Sequence, residues 1–331
     1  MTQAGSYSLT EFQLAFQKEA NAGVKNVAAM QLANIDSLVM PEATPVIISE
    51  VRHGSGKTLK EADAFICEKG TMKSITFTGI ADNTVFPMLL ENLITNTNGG
   101  APGFVVPYNY TNPDIAHNGA IANYTQTLTV AVISPISAKT AIMIGAIVTN
   151  LKKTVGGIAD ENGRSRFTCT IETRYKIQYD QATPTSLAAY GAGFYYLTNW
   201  SVKTFAGISD VVIDGVEVEI ANSAKYDGQQ GSDSDPEIIS RGKEIVITVM
   251  GSIKYDSDTA ALYALMQTGD KDRTIELSND ATWPDATAFG FKATKAFITS
   301  IALNDKTNTY LDVTLRILAP TSGNMFEYLC N

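Results

Sequence analysis

Along residues 72–80 apolar and polar side chains alternate, and residues 244–253 alternate in the same way. Each run carries a glycine near its end, Gly79 or Gly251. A period of two predicts strands with one buried face. Residues 46–51, 128–133, 141–148 and 165–175 read as further strands, as do residues 274–277, 293–303 and 310–318. Helical spacing is rarer. Val85, Phe86, Leu89, Leu90 and Leu93 share one face after a cap at Asp82 or Asn83. Pro87 sits in the first turn of that helix, where its missing N–H costs little. Ala261, Leu262, Leu265 and Met266 form a second stripe after Asp256 or Asp258. Residues 8–31 have loose helical spacing, broken by Gly23, and predict a short helix or an extended arm.

These elements recur. Slid by a constant offset that sets Val46 on Val218, residues 46–94 fall on residues 218–266 without a gap. Ile48 meets Ile220, Gly56 meets Gly228, Asp63 meets Asp235, Gly79 meets Gly251, and Leu90 meets Leu262. A repeated spacing means a repeated supersecondary unit. The chain therefore predicts a mainly β fold of two tandem, duplicated antiparallel sandwich or barrel domains, each with one short flanking helix. The expected division is 1–180 and 181–331, with a linker near residues 178–198. The first copy carries an insertion, residues 96–124, rich in Gly, Pro and Tyr. A loop of that length is usually functional or flexible.

Length and composition agree with this division. At 331 residues the chain is long enough for two domains, and 44% hydrophobic against 18% charged residues is a globular balance. The formal net charge is −9. Up to Asp180 there are 14 basic and 15 acidic residues, and beyond it 11 and 19, so the acidity lies mostly in the second half. No basic cluster exceeds Lys152-Lys153, which argues against a surface that grips duplex nucleic acid. Cys67, Cys169 and Cys330 are odd in number and widely spaced, as neither a disulfide framework nor a metal site would be. The opening residues lack a basic segment followed by an apolar one, so no secretion signal is expected. The most apolar stretch, 128–148, is broken by Ser134, Pro135, Ser137 and Lys139 and reads as two strands and a turn, not a membrane span.

Candidate chemistry is sparse. Gly54-Ser55-Gly56-Lys57-Thr58 follows a strand-like run, as a phosphate-binding loop would, but Val51 stands where the first Gly is needed. His53 and His117 have no partners at catalytic or metal-ligand spacing. Asp233, Asp235 and Glu237 form an acidic loop without the layout of a calcium loop. No catalytic, cofactor or metal residue is expected, and no enzyme. Tyr108, Tyr110, Tyr124, Tyr195, Tyr196 and Trp200 cluster in the insertion and linker and read best as protein–protein contacts.

Several stretches, in order, resemble one family. FQKEANAGVKN resembles its opening segment, although the usual Tyr-Gly is absent. MKSITFTGIADNTVFPMLLENLI resembles its strand, Gly turn and helix, and GRSRFTCTIETRY the strand that closes its first domain. VVIDGVEVEIANSAKYDG and DPEIISRGKEIVITVMGSIKYD resemble the start of a second domain, and DVTLRILAP its last strand. Together they resemble the two-domain tail tube (major tail) protein of long-tailed bacteriophages. The resemblance implies a trimeric ring with pseudo-sixfold symmetry, stacked into a hollow tube through which DNA passes without specific binding. It implies a place in the virion tail after assembly in the host cytoplasm. The implied partners are other copies and the tail terminator, tape-measure and baseplate proteins, with no membrane and no cofactor. Asn96, Tyr108, Tyr110, Tyr124, Phe12 and Phe16 become expected assembly contacts, and Glu172 and Asp312 expected acidic lumen positions. The alternative is another β protein of a virion, such as a baseplate or fibre component that binds host glycans. A glycoside hydrolase would need two carboxylates about 5–9 Å apart in a cleft.

Overall fold

The computed structural model describes residues 11–39, 46–49, 64–67, 72–94, 108–111, 127–155, 165–191, 201–227, 236, 238–241, 245–278, 289–305, 309–321 and 324–330. They are mainly β. In the first half the strands are β1 (Gln13–Lys18), β2 (Met30–Leu32), β3 (Ile35–Val39), β4 (Val46–Ser49), β5 (Ala64–Cys67) and β6 (Lys73–Ile80). Helix α1 (Val85–Ile94) follows, then β7 (Tyr108–Thr111), β8 (Leu128–Ile133), β9 (Thr140–Val155), β10 (Arg166–Thr173), β11 (Gln178–Gln181) and β12 (Leu187–Ala188). The second half holds β13 (Val202–Thr204), β14 (Ile213–Ala221), β15 (Ala224–Asp227), β16 (Ile238–Arg241) and β17 (Val246–Lys254). Helix α2 (Leu262–Thr268) precedes β18 (Arg273–Ser278), β19 (Phe289–Asp305), β20 (Thr309–Ile317) and β21 (Asn324–Cys330).

Eight strands form one antiparallel row in the order β3, β6, β10, β9, β14, β17, β20, β19. Two of them, β9 and β19, are long enough to leave the row. The first half of β9 pairs with β8 and β11, and β8 continues through β1 and β2 to β12. The first half of β19 pairs with β18 and β21, which lead on to β13 and β7. Both long strands carry register shifts near the change of partners, at Thr170/Ile171 against β9 and Ile298/Ser300 in β19. An extra residue bends a strand and increases its twist, which lets one strand serve two sheets.

The helices sit where the sequence expects them. Asp82 Oδ1 accepts from the backbone N–H groups of Thr84 (2.9 Å) and Val85 (2.8 Å), satisfying donors that the first turn of α1 leaves free. Val85, Phe86, Leu89, Leu90 and Leu93 are all buried, each contributing about 1.5–3 kcal/mol by leaving water. Asp256 does the capping work ahead of α2, accepting from the N–H groups of Asp258 and Thr259 at 3.1 Å. Gly269, at φ 65°, closes that helix in the left-handed conformation.

One buried apolar cluster runs through both halves of the chain. An aromatic series crosses it: Phe16 to Phe77 (5.5 Å between centroids), Phe77 to Phe167 (5.8 Å), Phe167 to Phe86 (5.8 Å) and Phe86 to Tyr328 (6.0 Å). Tyr328 then meets Phe291 at 5.7 Å. Lys153 lies within this core, its Nζ 4.6 Å from the centre of the Phe86 ring.

Three segments differ from expectation. Residues 13–18, expected as a short helix or an extended arm, are a strand, and β1 is buried on both faces. Leu14 and Phe16 enter the main core and Ala15 a second cluster with Met30 and Ile142. A strand covered on both sides loses its alternation and reads as a plain apolar run. The expected linker is structured in part, with β11 against β9 and β12 parallel to β2. Within the insertion, Tyr108–Thr111 form β7 and pair with β21 at the far end of the chain.

Candidate functional site: two open strand edges and an exposed sheet face

The row of eight strands does not close on itself among the described residues. On one side β3 pairs only with β6. On the other, residues 297–305 of β19 pair only with β20. An open edge presents unpaired N–H and C=O groups to any strand that approaches. Each edge also carries an exposed apolar side chain. Val39 in β3 is 64% exposed and Leu303 in β19 is 61% exposed, the two highest values among the exposed large hydrophobic residues. Ile35 and Ile301 are partly buried and pack against the core from the same two strands.

The face of the row turned away from the core is rich in hydroxyls. On β6 Ile75 and Phe77 are buried while Thr76 and Thr78 face outward. Thr76 Oγ1 lies 3.1 Å from Thr170 Oγ1, and Thr78 Oγ1 lies 2.6 Å from Ser37 Oγ. Glu172 and Asp312 are both on this face, alternating with buried neighbours on β10 and β20. They share it with basic residues. Lys152 bridges to Glu217 at 2.6 Å, and Arg166 to Asp36 at 2.6 Å. Asn150 donates to Glu219 (2.6 Å) and Asn304 to Asp312 (2.8 Å). Burial pushes the Glu172 carboxyl above its usual range, an effect that a hydrogen bond from Thr149 only partly offsets. The acidic groups named on this face are thus each engaged, by a basic side chain or by a neutral hydrogen-bond donor.

Two hairpins stand off the sheet. β4 pairs with β5, and β15 with β16, and among the described residues neither pair joins another strand. The second has a seat within the chain. The Tyr226 hydroxyl donates to the carbonyl of Glu172 (2.8 Å), with the Gly145 carbonyl 3.0 Å away. Tyr226 and Ile239 pack against Ile147 and Tyr175, and Arg174 Nη1 donates to the Tyr226 carbonyl at 2.8 Å.

The other expected positions fall as follows. Phe16 is fully buried and Phe12 partly so, both packed in the core of their own chain. Tyr108 and Tyr110 lie in β7, opposite Tyr328 and Phe326. Asn96 and Tyr124 lie outside the described residues, as do residues 51–58 with the Gly-Lys-Thr run and His53, and His117, Asp233, Asp235, Glu237, Tyr195, Tyr196 and Trp200. Cys169 is buried and its thiol is pushed well up by burial, which leaves it protonated and inert. Among the described residues no cluster of three or more His, Cys, Asp or Glu is placed to hold a metal ion. No helix there is long and apolar enough to cross a membrane. The edges themselves had a sequence signal only in part: IDSLV of β3 is short and half polar.

Compared with known families and curated proteins, the chain matches no family model and no curated sequence.

Proposed function

We propose that this protein is a structural subunit that joins copies of itself into rings, and that the rings stack into the tail tube of a long-tailed bacteriophage. The observation that carries the reading is a strand order that occurs twice in the row and stops at an open edge on each side. β3, β6, β10 and β9 make the first series, and β14, β17, β20 and β19 the second.

The registers support a duplication. Phe77 faces Cys169, which faces Leu151; Val249 faces Leu315, which faces Ile298. Against β9, β8 slips by one residue between the pairs Leu128–Ala146 and Val130–Met143. Against β19, β18 slips by one between Arg273–Ala296 and Ile275–Ala293. On this reading the chain holds two tandem copies of one β unit, meeting where β9 pairs with β14. A unit that adds to its like within a chain, and leaves both outer edges free, adds to further chains in the same way. A closed ring of three chains would carry six units and leave no edge exposed.

The standing hairpins fit the same scheme. β15–β16 of the second unit rests on the first unit through Tyr226. The β4–β5 hairpin holds the corresponding place in the first unit, so its seat would be the second unit of a neighbouring chain. The hydroxyl-rich face with its paired charges would line the lumen. Such a surface offers duplex DNA little net attraction, and DNA would move past it without being held. Residues 96–124 and the first ten residues are the candidates for contacts between rings. Terminator, tape-measure and baseplate proteins would be the partners at the tube ends and within the lumen, and the assembled protein would reside in the virion. The reading assigns no catalytic residue.

Negative-stain electron microscopy of the purified protein at rising concentration tests the proposal. Rings or stacked tubes are expected. A monomer at every concentration would overturn it.

A further inference from the structure

The row contains a template for how two chains meet. Where β9 pairs with β14, Thr154 faces Glu217, Lys153 faces Val218 and Lys152 faces Glu219. Each of these six residues has a counterpart on an open edge, identified by its other neighbour in the row. Thr154 faces Arg166, which faces Ile80; Ala302 faces Asp312, which faces Ser252. Ala302 therefore holds the place of Thr154, Ile301 that of Lys153 and Ser300 that of Lys152. On the other edge Ser37 faces Thr78 and Val39 faces Thr76, as Glu217 faces Met250 and Glu219 faces Thr248. Ser37, Leu38 and Val39 hold the places of Glu217, Val218 and Glu219.

We infer that β3 of one copy adds antiparallel to the free edge of β19 of another with Ser37 opposite Ala302, Leu38 opposite Ile301 and Val39 opposite Ser300, forming a seam without charge. The inference rests on the self-assembly reading above and fixes its register and its chemistry. The seam inside the chain is ionic: Lys152 bridges to Glu217, and Asn150 donates to Glu219. The seam between chains replaces these with Ser37, Val39, Ser300 and Ala302 on the open face. On the core face it sets Leu38 against Ile301, an aliphatic pair where the internal seam has Lys153. Leu303 and Ile35, at the places of Val155 and Val216, extend that aliphatic contact. This accounts for the high exposure of Leu303 and Val39 in the single chain, because both are covered by the added strand. Nearby charges are already engaged within their own chain, Asp36 by Arg166 and Asp312 by Asn304.

Cysteine pairing tests the register in full-length protein carrying Cys67→Ser and Cys330→Ser. Directly opposed Cβ atoms of an antiparallel pair stand about 4.5–5.5 Å apart, within reach of a disulfide after small adjustment. Ser37→Cys with Ala302→Cys, and Val39→Cys with Ser300→Cys, are expected to give a ladder of cross-linked oligomers under mild oxidation. Val39→Cys with Asn304→Cys, four residues out of register, is expected to give none. Mixing singly substituted chains repeats the test without a double variant. Ring formation is followed in parallel by microscopy, from ~0.05 to ~1 M salt, and is expected to change less than about twofold because no exposed ion pair holds the seam. Rings without in-register cross-links, or rings lost at high salt, would overturn this inference and leave the proposed function standing. The absence of both rings and cross-links would overturn the two together.

Discussion

Gly251 lies against the ring of Phe205 so closely that a Cβ on the glycine would stand 2.6 Å from Cζ of the phenyl group. Phe205 is fully buried and cannot swing away without disturbing the core. At the matching place in the first half, a Cβ on Gly79 would stand 2.2 Å from the carbonyl oxygen of Asn34. That oxygen accepts the Ile80 N–H at 3.0 Å, so it is held as well. Both glycines are needed for close approach within a strand. Gly79→Ala and Gly251→Ala are each expected to cost about 1–3 kcal/mol, the usual penalty of overpacking. Urea unfolding followed by circular dichroism would show the loss as a lower midpoint with an unchanged slope.

A second prediction concerns Glu19, a buried carboxylate surrounded by donors. It accepts from the N–H groups of Gly23 (2.7 Å) and Gly145 (3.0 Å), from Thr129 Oγ1 (2.9 Å) and from Thr127 Oγ1. The arrangement ties the turn after β1 to β8 and β9. Glu19→Gln keeps the size but turns an NH₂ group toward donors, leaving at least one of them without an acceptor. The expected loss is about 1–3 kcal/mol. Thermal unfolding of the two proteins in the same buffer measures it, and a stability equal to that of the unsubstituted protein would refute the role assigned to Glu19.

Stability should also depend on pH with opposite signs at two carboxylates. The Thr259 N–H holds the Asp256 carboxyl below its usual range, helped by further bonds from Thr259 and Asp258 and by the charge of Lys254. Its contribution is present above the unfolded pKa, about 4, and is lost as pH falls through the lower folded value. Asp256→Asn is therefore expected to lower stability at neutral pH and to flatten the acid limb. Glu172 behaves the other way, since burial raises it. Its contribution is complete below the unfolded pKa and disappears as pH rises through the higher folded value. Glu172→Gln is expected to stabilise the neutral protein relative to the parent, with the gap closing in acid. Denaturant midpoints across the carboxylate range distinguish the two signs.

Much of the fold is legible because half-buried strands such as β6 and β20 keep their period, while the fully buried β8 reads as a short β-branched apolar run. Residues 128–133 are a strand to the residue, and 72–80 and 310–318 are strands to within one. The two longest strands run past their expected bounds of 141–148 and 293–303. β9 runs on through Asn150, Lys152 and Thr154, polar residues on the open face, and through Lys153, which a reading by residue class places in water and the fold places beside Phe86. β3 has little signature in the sequence, because an edge strand of five residues with Asp36 and Ser37 carries little apolar signal. On the reading of two tandem copies, an ungapped alignment of the halves misplaces the first hairpin. Val46 faces Cys67 as Ala224 faces Arg241, so on that reading Val46 would correspond to Ala224 and not to Val218. The loop between the paired strands is longer in the first half, 50–63 against 228–237, and a fixed offset cannot absorb that difference. The edges as a site are legible only in part, because an edge is defined by the partner a strand lacks.

The buried apolar cluster shared by both halves yields a last prediction. Phe86 of α1 meets Tyr328 of the final strand, β7 pairs with β21, and the whole of residues 150–155 pairs with β14. A fragment ending at Asp180 would expose Phe86, Leu151 and Val155 and leave β9 with an open edge along its second half. Burial of each such side chain is worth about 1.5–3 kcal/mol, and a typical domain has only about 5–15 kcal/mol in hand. The fragment of residues 1–180 is thus expected to lack a cooperative thermal transition, while the complete chain melts in one step. Adding the separate fragment 181–331 is expected to restore the transition, because the missing strands return with it. Deleting residues 97–119 removes β7 and strips β21 of a partner without touching the β9–β14 seam, so that variant should retain a single transition at a lower temperature. Differential scanning calorimetry of the four samples decides the matter: two independent transitions in the complete chain, or a cooperative melt of residues 1–180 alone, would show that the halves are separate after all.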